Sequence, residues 1–326
     1  MPNIPVAVPT DGTSILDNLT TPLLFQGDPA TAYRDPTAIF SEGFFHLFFT
    51  LVETEADGSV YMYVATAKSD DLVHWTPLRR ITPRDPSLNF SSPGNVVRWG
   101  EEWILCLQTY PRPKGEKYGN GSSRLWILRT ADLDDWSQSS PSLLRVKGLD
   151  TPIAEMGRMI DPFLVADGEE TGKWWCFYKQ DGASASTSYD LAVWHYEGRV
   201  KAGENVCILS TEHAYSDSSN PGNTGSPGFL MFHSPQNGIG IKRSRDLRHW
   251  EDCGFTTLGQ DKWPWAQGRL TAGFVLDLTD EPLVGKYLMF FHGSGPEDEE
   301  TFFDTHASLG IAWSDDLHEW YWPGKS

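Results

Sequence analysis

"SDDLVHW", residues 69–75, is one copy of a seven-residue motif that recurs along the chain and decides the fold. The motif is Ser or Thr, any residue, Asp, Leu, any two residues, and Trp. The other copies are "TADLDDW" (130–136), "SYDLAVW" (188–194), "SRDLRHW" (244–250) and "SDDLHEW" (314–320). They are spaced about 55 to 70 residues apart. A regular period of this kind predicts five similar structural units.

Each unit has the pattern of four short strands. The run before each motif alternates apolar and polar residues, as in "YMYVATAK" (61–68), and the motif Trp begins another strand. Upstream lie an aromatic strand, such as "FFHLFFT" (44–50), and a first strand that opens with a corner, such as "RDPTAIF" (34–40). Five four-stranded antiparallel units predict an all-β protein with the fold of a five-bladed β-propeller.

The motif spacing also predicts the domain organisation. We expect one domain over residues 1–326, with blades at approximately 33–84, 88–148, 155–202, 203–259 and 267–322. The last motif ends six residues before the end of the chain, which leaves little sequence for a final strand. We therefore predict that an N-terminal strand, "TPLLFQ" (21–26), closes the ring.

Composition excludes several classes of partner. The formal net charge is −18, from 44 acidic and 26 basic residues, so the surface should repel nucleic acid and anionic membranes. The N-terminal residues lack the basic and apolar regions of a signal peptide. This predicts a cytoplasmic protein, or a periplasmic or secreted one if a signal has been removed. The four cysteines have no metal-ligand spacing and are expected to be buried thiols. We expect a monomer or a simple homo-oligomer.

Three carboxylates fall at the starts of first strands. In a propeller these strands line the central channel, so their opening residues should meet at one mouth. Asp35 opens blade one, Asp161 blade three and Glu204 blade four, while Ser92 and Thr271 fall at roughly that place in blades two and five. Glycoside hydrolysis needs one carboxylic acid to protonate the leaving oxygen and one carboxylate to activate water or to attack. A third carboxylate can keep the acid protonated by repulsion.

The arrangement resembles glycoside hydrolase family 43 and its relatives, and more distantly families 32 and 117. The resemblance covers about Arg34 to Trp320 and is carried by "RDP" at Asp35, "IDP" at Asp161 and "ENV" at Glu204. It implies an inverting enzyme with Asp35 as general base, Asp161 as the residue that modulates the pKa of the acid, and Glu204 as general acid. The chain departs from family 43 at Arg34 and at Asn205, beside two of these acids.

The resemblance leaves the cofactor and the acid open. No cofactor is required, and no metal ligand is assigned. A structural calcium in the channel is an option that the sequence does not support, because the supporting His of family 43 is not evident. Glu155 and Glu212 are alternatives for the acid, and so are His213 and His233, since relatives resembling family 117 use a His.

Further polar and aromatic residues near the expected mouth are candidates for substrate binding. They are Arg34, Asn95, Gln108, Arg158, Lys179, Gln180, His233, Asn237, Trp265, Arg269 and His292. The arginines have two interpretations: they neutralise the buried carboxylates, or they bind an anionic sugar. Trp265 is either a stacking platform or core. The long polar loop at 210–228 should border the pocket or be partly disordered.

Together these features predict an inverting, exo-acting glycoside hydrolase. Its substrate would be a plant or algal oligosaccharide carrying a terminal furanoside or pentoside, with an anionic sugar as one option. A glycoside phosphorylase on the same fold and a non-catalytic carbohydrate-binding propeller remain as alternatives. The partner is a carbohydrate in each case.

Overall fold

The computed structural model describes residues 14–212, 214 and 228–325. It is an all-β, five-bladed propeller, as predicted from the sequence, and each blade is an antiparallel sheet. Within the described residues the helical structure consists of three short 3-10 turns, at Ile15–Asn18, Ile153–Glu155 and Gln260–Lys262. None of the helical segments described is long and apolar enough to cross a membrane.

The strands follow the chain from blade to blade. Blade one contains β2 (Thr31–Ser41), β3 (Phe44–Thr54), β4 (Val60–Ser69) and β5 (Arg79–Arg80). Blade two contains β6 (Phe90–Ser91), β7 (Val96–Trp99), β8 (Glu102–Thr109), β9 (Leu125–Thr130) and β10 (Ser142–Leu143). Blade three contains β11 (Ile160–Ala166), β12 (Trp174–Lys179), β13 (Ala183–Ser188) and β14 (His195–Val200). Blade four contains β15 (Glu204–Thr211), β16 (Gly228–Ser234), β17 (Ile239–Ser244) and β18 (Glu251–Thr256).

Blade five is built from both ends of the chain. Its strands β19 (Arg269–Leu278), β20 (Lys286–Ser294) and β21 (Ser308–Ser314) are followed by the short β22 (Trp320–Tyr321). The N-terminal strand β1 (Leu23–Phe25) pairs with β21 beside β22. The prediction that "TPLLFQ" closes the ring is therefore confirmed. Closure leaves the last sheet without a long open edge.

The repeated motif is a turn stabilised by its own side chains. In the first copy, Asp71 Oδ1 accepts hydrogen bonds from the backbone N–H groups of Val73 (2.9 Å) and His74 (2.7 Å). Leu72 is buried and has a positive φ of 63°. The ring N–H of Trp75 donates to the carbonyl of Leu72 at 3.1 Å. Because Asp accepts from the turn and Trp packs back on it, the motif marks the end of each third strand.

The cysteines have no role at the propeller mouth. Cys106, Cys176 and Cys207 are buried, Cys253 is half-buried, and all four are free. Burial raises the pKa of both Cys106 and Cys207 to about 12, which makes these thiols unreactive. The prediction of buried thiols is thus confirmed for three of the four. His213 and residues 215–227 of the polar loop lie outside the described residues.

Candidate active site

A repeated backbone irregularity builds the mouth of the channel. Each first strand carries one non-glycine residue with positive φ: Asp35 (48°), Ser92 (40°), Asp161 (55°), Asn205 (49°) and Ala272 (53°). The strand register shifts at these positions in blades one, three, four and five, and blade two breaks there into β6 and β7. The left-handed conformation turns each of these residues out of the regular ladder toward the axis.

This irregularity corrects the register predicted from the sequence. Asp35 lies within β2 rather than at its start, because that strand begins four residues earlier, at Thr31. In blades four and five, Glu204 and Thr271 each lie one residue before the bulge. Each pairs with the second strand of its blade, and regular pairing resumes only beyond the bulge. Asn205 therefore occupies the position equivalent to Asp35. Glu204 reaches the same mouth from one residue earlier in its strand.

The mouth opens into a pocket with a cavity volume of about 220 Å³. Its wall includes nine of the side chains that the sequence placed near the mouth: Arg34, Asp35, Ser92, Gln108, Arg158, Asp161, Lys179, Glu204 and Arg269. It also includes residues that the sequence did not assign to the pocket: Thr50, Met62, Ser91, Tyr110, Tyr118, Ile160, Asn205, Glu299, Glu300 and Phe303. All three predicted carboxylates therefore meet in one pocket.

Asp35 is held by hydrogen-bond donors from three blades. Its Oδ2 accepts from the hydroxyls of Thr50 and Ser92, both at 2.9 Å. Its Oδ1 accepts from the side-chain amide of Asn205 at 3.4 Å. The carboxylate remains 13% exposed, so one part of it still faces the pocket. These donors orient the carboxylate and complement its negative charge.

His292 fixes the backbone of Asp35 from below. Its Nδ1 accepts the backbone N–H of Asp35 at 3.0 Å, which places the ring proton on Nε2. Burial, together with nearby Arg34 and Arg269, holds the pKa of His292 well below its usual range. His292 is therefore a neutral support for the bulge and does not line the pocket.

Asp161 occupies the most protected position among the three acids. Its backbone N–H donates to Gln108 Oε1 at 2.6 Å, and Gln108 Nε2 in turn donates to the Ser91 hydroxyl at 3.2 Å. Burial, and then the charges of Glu204 and Asp35, raise the pKa of Asp161 to about 7. Near neutral pH this carboxyl thus holds a proton that an exposed Asp would have released.

Glu204 has the opposite electrostatic environment. Its Oε2 pairs with Lys179, and its Oε1 pairs with Arg269 Nη2 at 2.7 Å. Burial raises the pKa of Glu204, but the attraction of Lys179 and Arg269 outweighs it and leaves the pKa below its ordinary value. The ionised form of Glu204 is therefore stabilised.

Two long connections form one wall of the pocket. Residues 295–307, between β20 and β21, meet residues 110–124, between β8 and β9. Tyr118 lies edge-on to Phe303 with ring centroids 5.0 Å apart and donates a hydrogen bond to Glu300. Arg112 binds Asp304 through two hydrogen bonds of 2.6 and 2.9 Å. No motif marks these residues, and only the ring places them beside the acids.

Several predicted binding residues make structural contacts instead of lining the pocket. Asn95 bonds to the backbone of Leu164, Gln180 donates to the carbonyl of Met156, and His233 accepts the N–H of Gly203. Asn237 pairs with Gln260, and Trp265 stacks on Trp263 with centroids 5.4 Å apart. The acid alternatives Glu155 and Glu212 are exposed and absent from the pocket wall.

The described residues around the channel below the acids do not form a recognisable metal site. It has a small cavity of about 30 Å³ whose wall includes Asp35, Asp161, Asn205 and Cys207 but no His. Within the described residues, no three His, Cys, Asp or Glu side chains are grouped as a metal site. A calcium-binding site needs six to eight oxygen ligands.

Comparison with known proteins places the fold. No family model matches the chain, and no curated protein matches it in sequence. Among solved structures it is similar to an exo-1,5-α-L-arabinanase from a bovine ruminal metagenomic library, at 14% identity and a TM-score of 0.59 over 91% of this chain and 99% of that one. It is also similar to a family 117 glycoside hydrolase from the marine bacterium Zobellia galactanivorans, at 14% identity and a TM-score of 0.60 over 87% and 84%. An α-L-arabinofuranosidase from Podospora anserina matches at 14% identity and a TM-score of 0.58 over 90% and 97%. At such identities the likeness establishes a shared fold.

Proposed function

We propose that this protein is a glycoside hydrolase that acts at the mouth of the propeller. The observation that carries the proposal is the meeting of Asp35, Asp161 and Glu204 in one pocket, where the pKa of Asp161 is raised and that of Glu204 is lowered. Acid–base hydrolysis of an acetal needs a proton donor and a proton acceptor at the same time and the same pH. A binding module has no need to bury three acids together.

Asp35 is the general base in this proposal. It removes a proton from a water molecule as the water oxygen bonds to the anomeric carbon. The bond from that carbon to the leaving oxygen breaks, and the leaving oxygen takes a proton from the acid. One water molecule is consumed and the anomeric configuration is inverted. The donors Thr50, Ser92 and Asn205 hold the carboxylate of Asp35 for this step.

We assign the transferred proton to Asp161. Its raised pKa of about 7 keeps it protonated where Asp35 must be ionised. The family resemblance implies Glu204 as the acid instead, but Glu204 lies between Lys179 and Arg269, which favour its charged form. In our assignment the charge of Glu204 raises the pKa of Asp161, so the two residues titrate as a pair.

The pocket supports exo action on a neutral terminal sugar. A volume of about 220 Å³ is below the range of about 300–1,000 Å³ for drug-sized ligands, and so suits about one sugar residue. Of the basic side chains in the pocket wall, Arg34, Lys179 and Arg269 already pair with Glu204 or Glu299. Because three of the four basic side chains in the wall already pair with carboxylates, we favour a neutral furanoside or pentoside over an anionic sugar. The activities named for the arabinanase and arabinofuranosidase structures make arabinofuranosides the first candidates.

The test is a screen of aryl glycosides and plant and algal oligosaccharides with the wild type, Asp161→Asn and Glu204→Gln. A good leaving group needs little protonation, so loss of the acid spares aryl substrates relative to natural ones. We expect this pattern for Asp161→Asn, and a uniform loss on both substrate types for Glu204→Gln. The reverse pattern assigns the proton to Glu204. A wild type inert on every substrate, with and without phosphate, would refute the proposed function.

A further inference from the structure

We infer that Glu299, in the connection between β20 and β21, is a positioning residue that holds Arg34 and Arg269 and thereby sets the charge balance around Glu204. The kinetic part of this inference rests on the proposed function. Neither a motif nor a strand start marks Glu299 in the sequence. It is nevertheless among the few acidic side chains that are buried, at 7% exposure.

The inference begins with an unbroken chain of ion pairs across the pocket wall. Arg34 pairs with one oxygen of Glu299, and Arg269 pairs with the other. Arg269 also reaches Glu204, which pairs with Lys179. The charges alternate along the chain, which runs from blade one through blades five and four to blade three. Removing Glu299 leaves the buried guanidinium of Arg34 and the half-buried guanidinium of Arg269 without their shared anion.

Arg269 connects the two carboxylates directly. Its Nη1 faces Glu299 while its Nη2 donates to Glu204 at 2.7 Å. A guanidinium that serves two acids divides its charge between them. Without Glu299, the full charge of Arg269 would act on Glu204, and Arg34 would be released beside Asp35. The loss of one negative charge lowers the pKa of every acid in the pocket.

The position of Glu299 is itself fixed by the connection that carries it. Arg34 Nη1 donates to the carbonyl of Phe303 at 2.7 Å, and its guanidinium lies 4.5 Å from the centroid of the Phe303 ring. The paired Arg112 and Asp304 hold the far end of the segment. Arg34 therefore binds the connection twice, through a side chain and through the backbone.

The other charged and titratable groups around the acids come from every element that faces them. They are Arg34 and Asp35 on β2, Tyr110 and Tyr118 between β8 and β9, Arg158 before β11, Lys179 on β12, Arg269 on β19, His292 on β20, and Glu300 beside Glu299. Burial keeps His292 neutral, and Glu300 pairs with Lys117 outside the pocket wall. Glu299 bridges Arg34 and Arg269, just as Glu204 bridges Arg269 and Lys179.

The test is the pH dependence of activity in Glu299→Gln, with Glu297→Gln as matched control. Glu297 lies two residues earlier in the same connection, is exposed, and loses the same charge when replaced. We expect Glu299→Gln to move the basic limb of the kcat/KM profile to lower pH by about 0.5 to 1 unit, less than the 1 to 3 units of a directly paired charge. Glu297→Gln should leave both limbs in place. Equal profiles for the two variants would overturn the inference.

Two further measurements separate this inference from the proposed function and from misfolding. A carboxyl ¹³C titration of Asp161 by NMR needs no substrate, and we expect Glu299→Gln to shift it to lower pH. An unmoved titration overturns the inference even in an active enzyme, whereas a shift supports it even in an inert protein. If Glu299→Gln does not fold, Glu299→Asp keeps the charge but shortens its reach. It should move the Asp161 titration in the same direction by a smaller amount, and no movement would count against the inference.

Discussion

Replacing Asp161 by Asn should stabilise the protein, and only at the higher end of the pH range. The folded chain raises the pKa of Asp161 from 3.8 to about 7, mainly by burial. Between these two values the folded state keeps a proton that the unfolded state has released. Stability therefore falls as pH rises from about 4 to about 7 and stays level above that. Asn has nearly the same shape and no charge to bury, so it removes this slope.

The size of the effect follows from the pKa shift. Each pKa unit corresponds to about 1.4 kcal/mol, so above pH 7 the raised pKa of Asp161 lowers the free energy of unfolding by about 4 kcal/mol. Of this loss, about 3 kcal/mol develops above pH 5. At an unfolding entropy of ~2.1 cal/mol/K per residue, 3 kcal/mol in a chain of 326 residues corresponds to about 4 °C in Tm. The difference in Tm between Asp161→Asn and the wild type should thus increase by about 4 °C in favour of the variant when the pH is raised from ~5 to ~8.5.

Differential scanning calorimetry at these two pH values measures the effect directly. Asp261→Asn is the control, because Asp261 is exposed in a short 3-10 turn and undergoes the same chemical change. The Tm of Asp261→Asn should equal that of the wild type at both pH values. If the advantage of Asp161→Asn is the same at both, or if the variant is the less stable at high pH, the burial argument for Asp161 is wrong.

Three further outcomes are expected. Asp35→Asn should lower kcat/KM on the best substrate by about 10²- to 10⁴-fold, the usual contribution of a general base, with little change in Tm; full activity would remove Asp35 from that role. Arg112→Met breaks the paired hydrogen bonds to Asp304 and should cost about 3 kcal/mol in chemical unfolding, since Arg112 is buried; a cost close to zero would show that this pair does not hold the connection. Deleting residues 1–25 removes β1 and exposes the edge of β21, so melting should occur at lower temperature with aggregation visible by light scattering. Unchanged melting would mean that β22 closes the ring alone.

The mouth of the propeller shows where sequence reasoning was accurate and where it stopped. The corners at Asp35 and Asp161 could be aligned because each precedes a Pro at the opening of an aromatic or apolar strand. The predicted alignment of Glu204 with Asp35 was wrong by one residue, because the bulge in blade four falls at Asn205. No local sequence pattern distinguishes Asn205 as the bulge residue. A similar uncertainty about which way a side chain faces explains why Asn95 and Asn237 were predicted to bind substrate but do not line the pocket. A polar residue at the end of a strand can face the channel or the next blade, and these two bond to neighbouring blades.

The sequence by itself determined the number of blades, because the Asp–Leu–Trp turn is stabilised by contacts within seven residues and so repeats wherever its letters repeat. It also determined that the three acids lie in first strands of different blades, since strand order follows chain order in a propeller. Only the tertiary structure gave Asp161 and Glu204 different electrostatic environments. Glu204 gained its cations from β12 and β19, and Asp161 became buried, through residues far away in the chain. Glu299 entered the site for the same reason: a carboxylate acquires its charge environment from neighbours in space, which the ring brings together and the sequence does not place side by side.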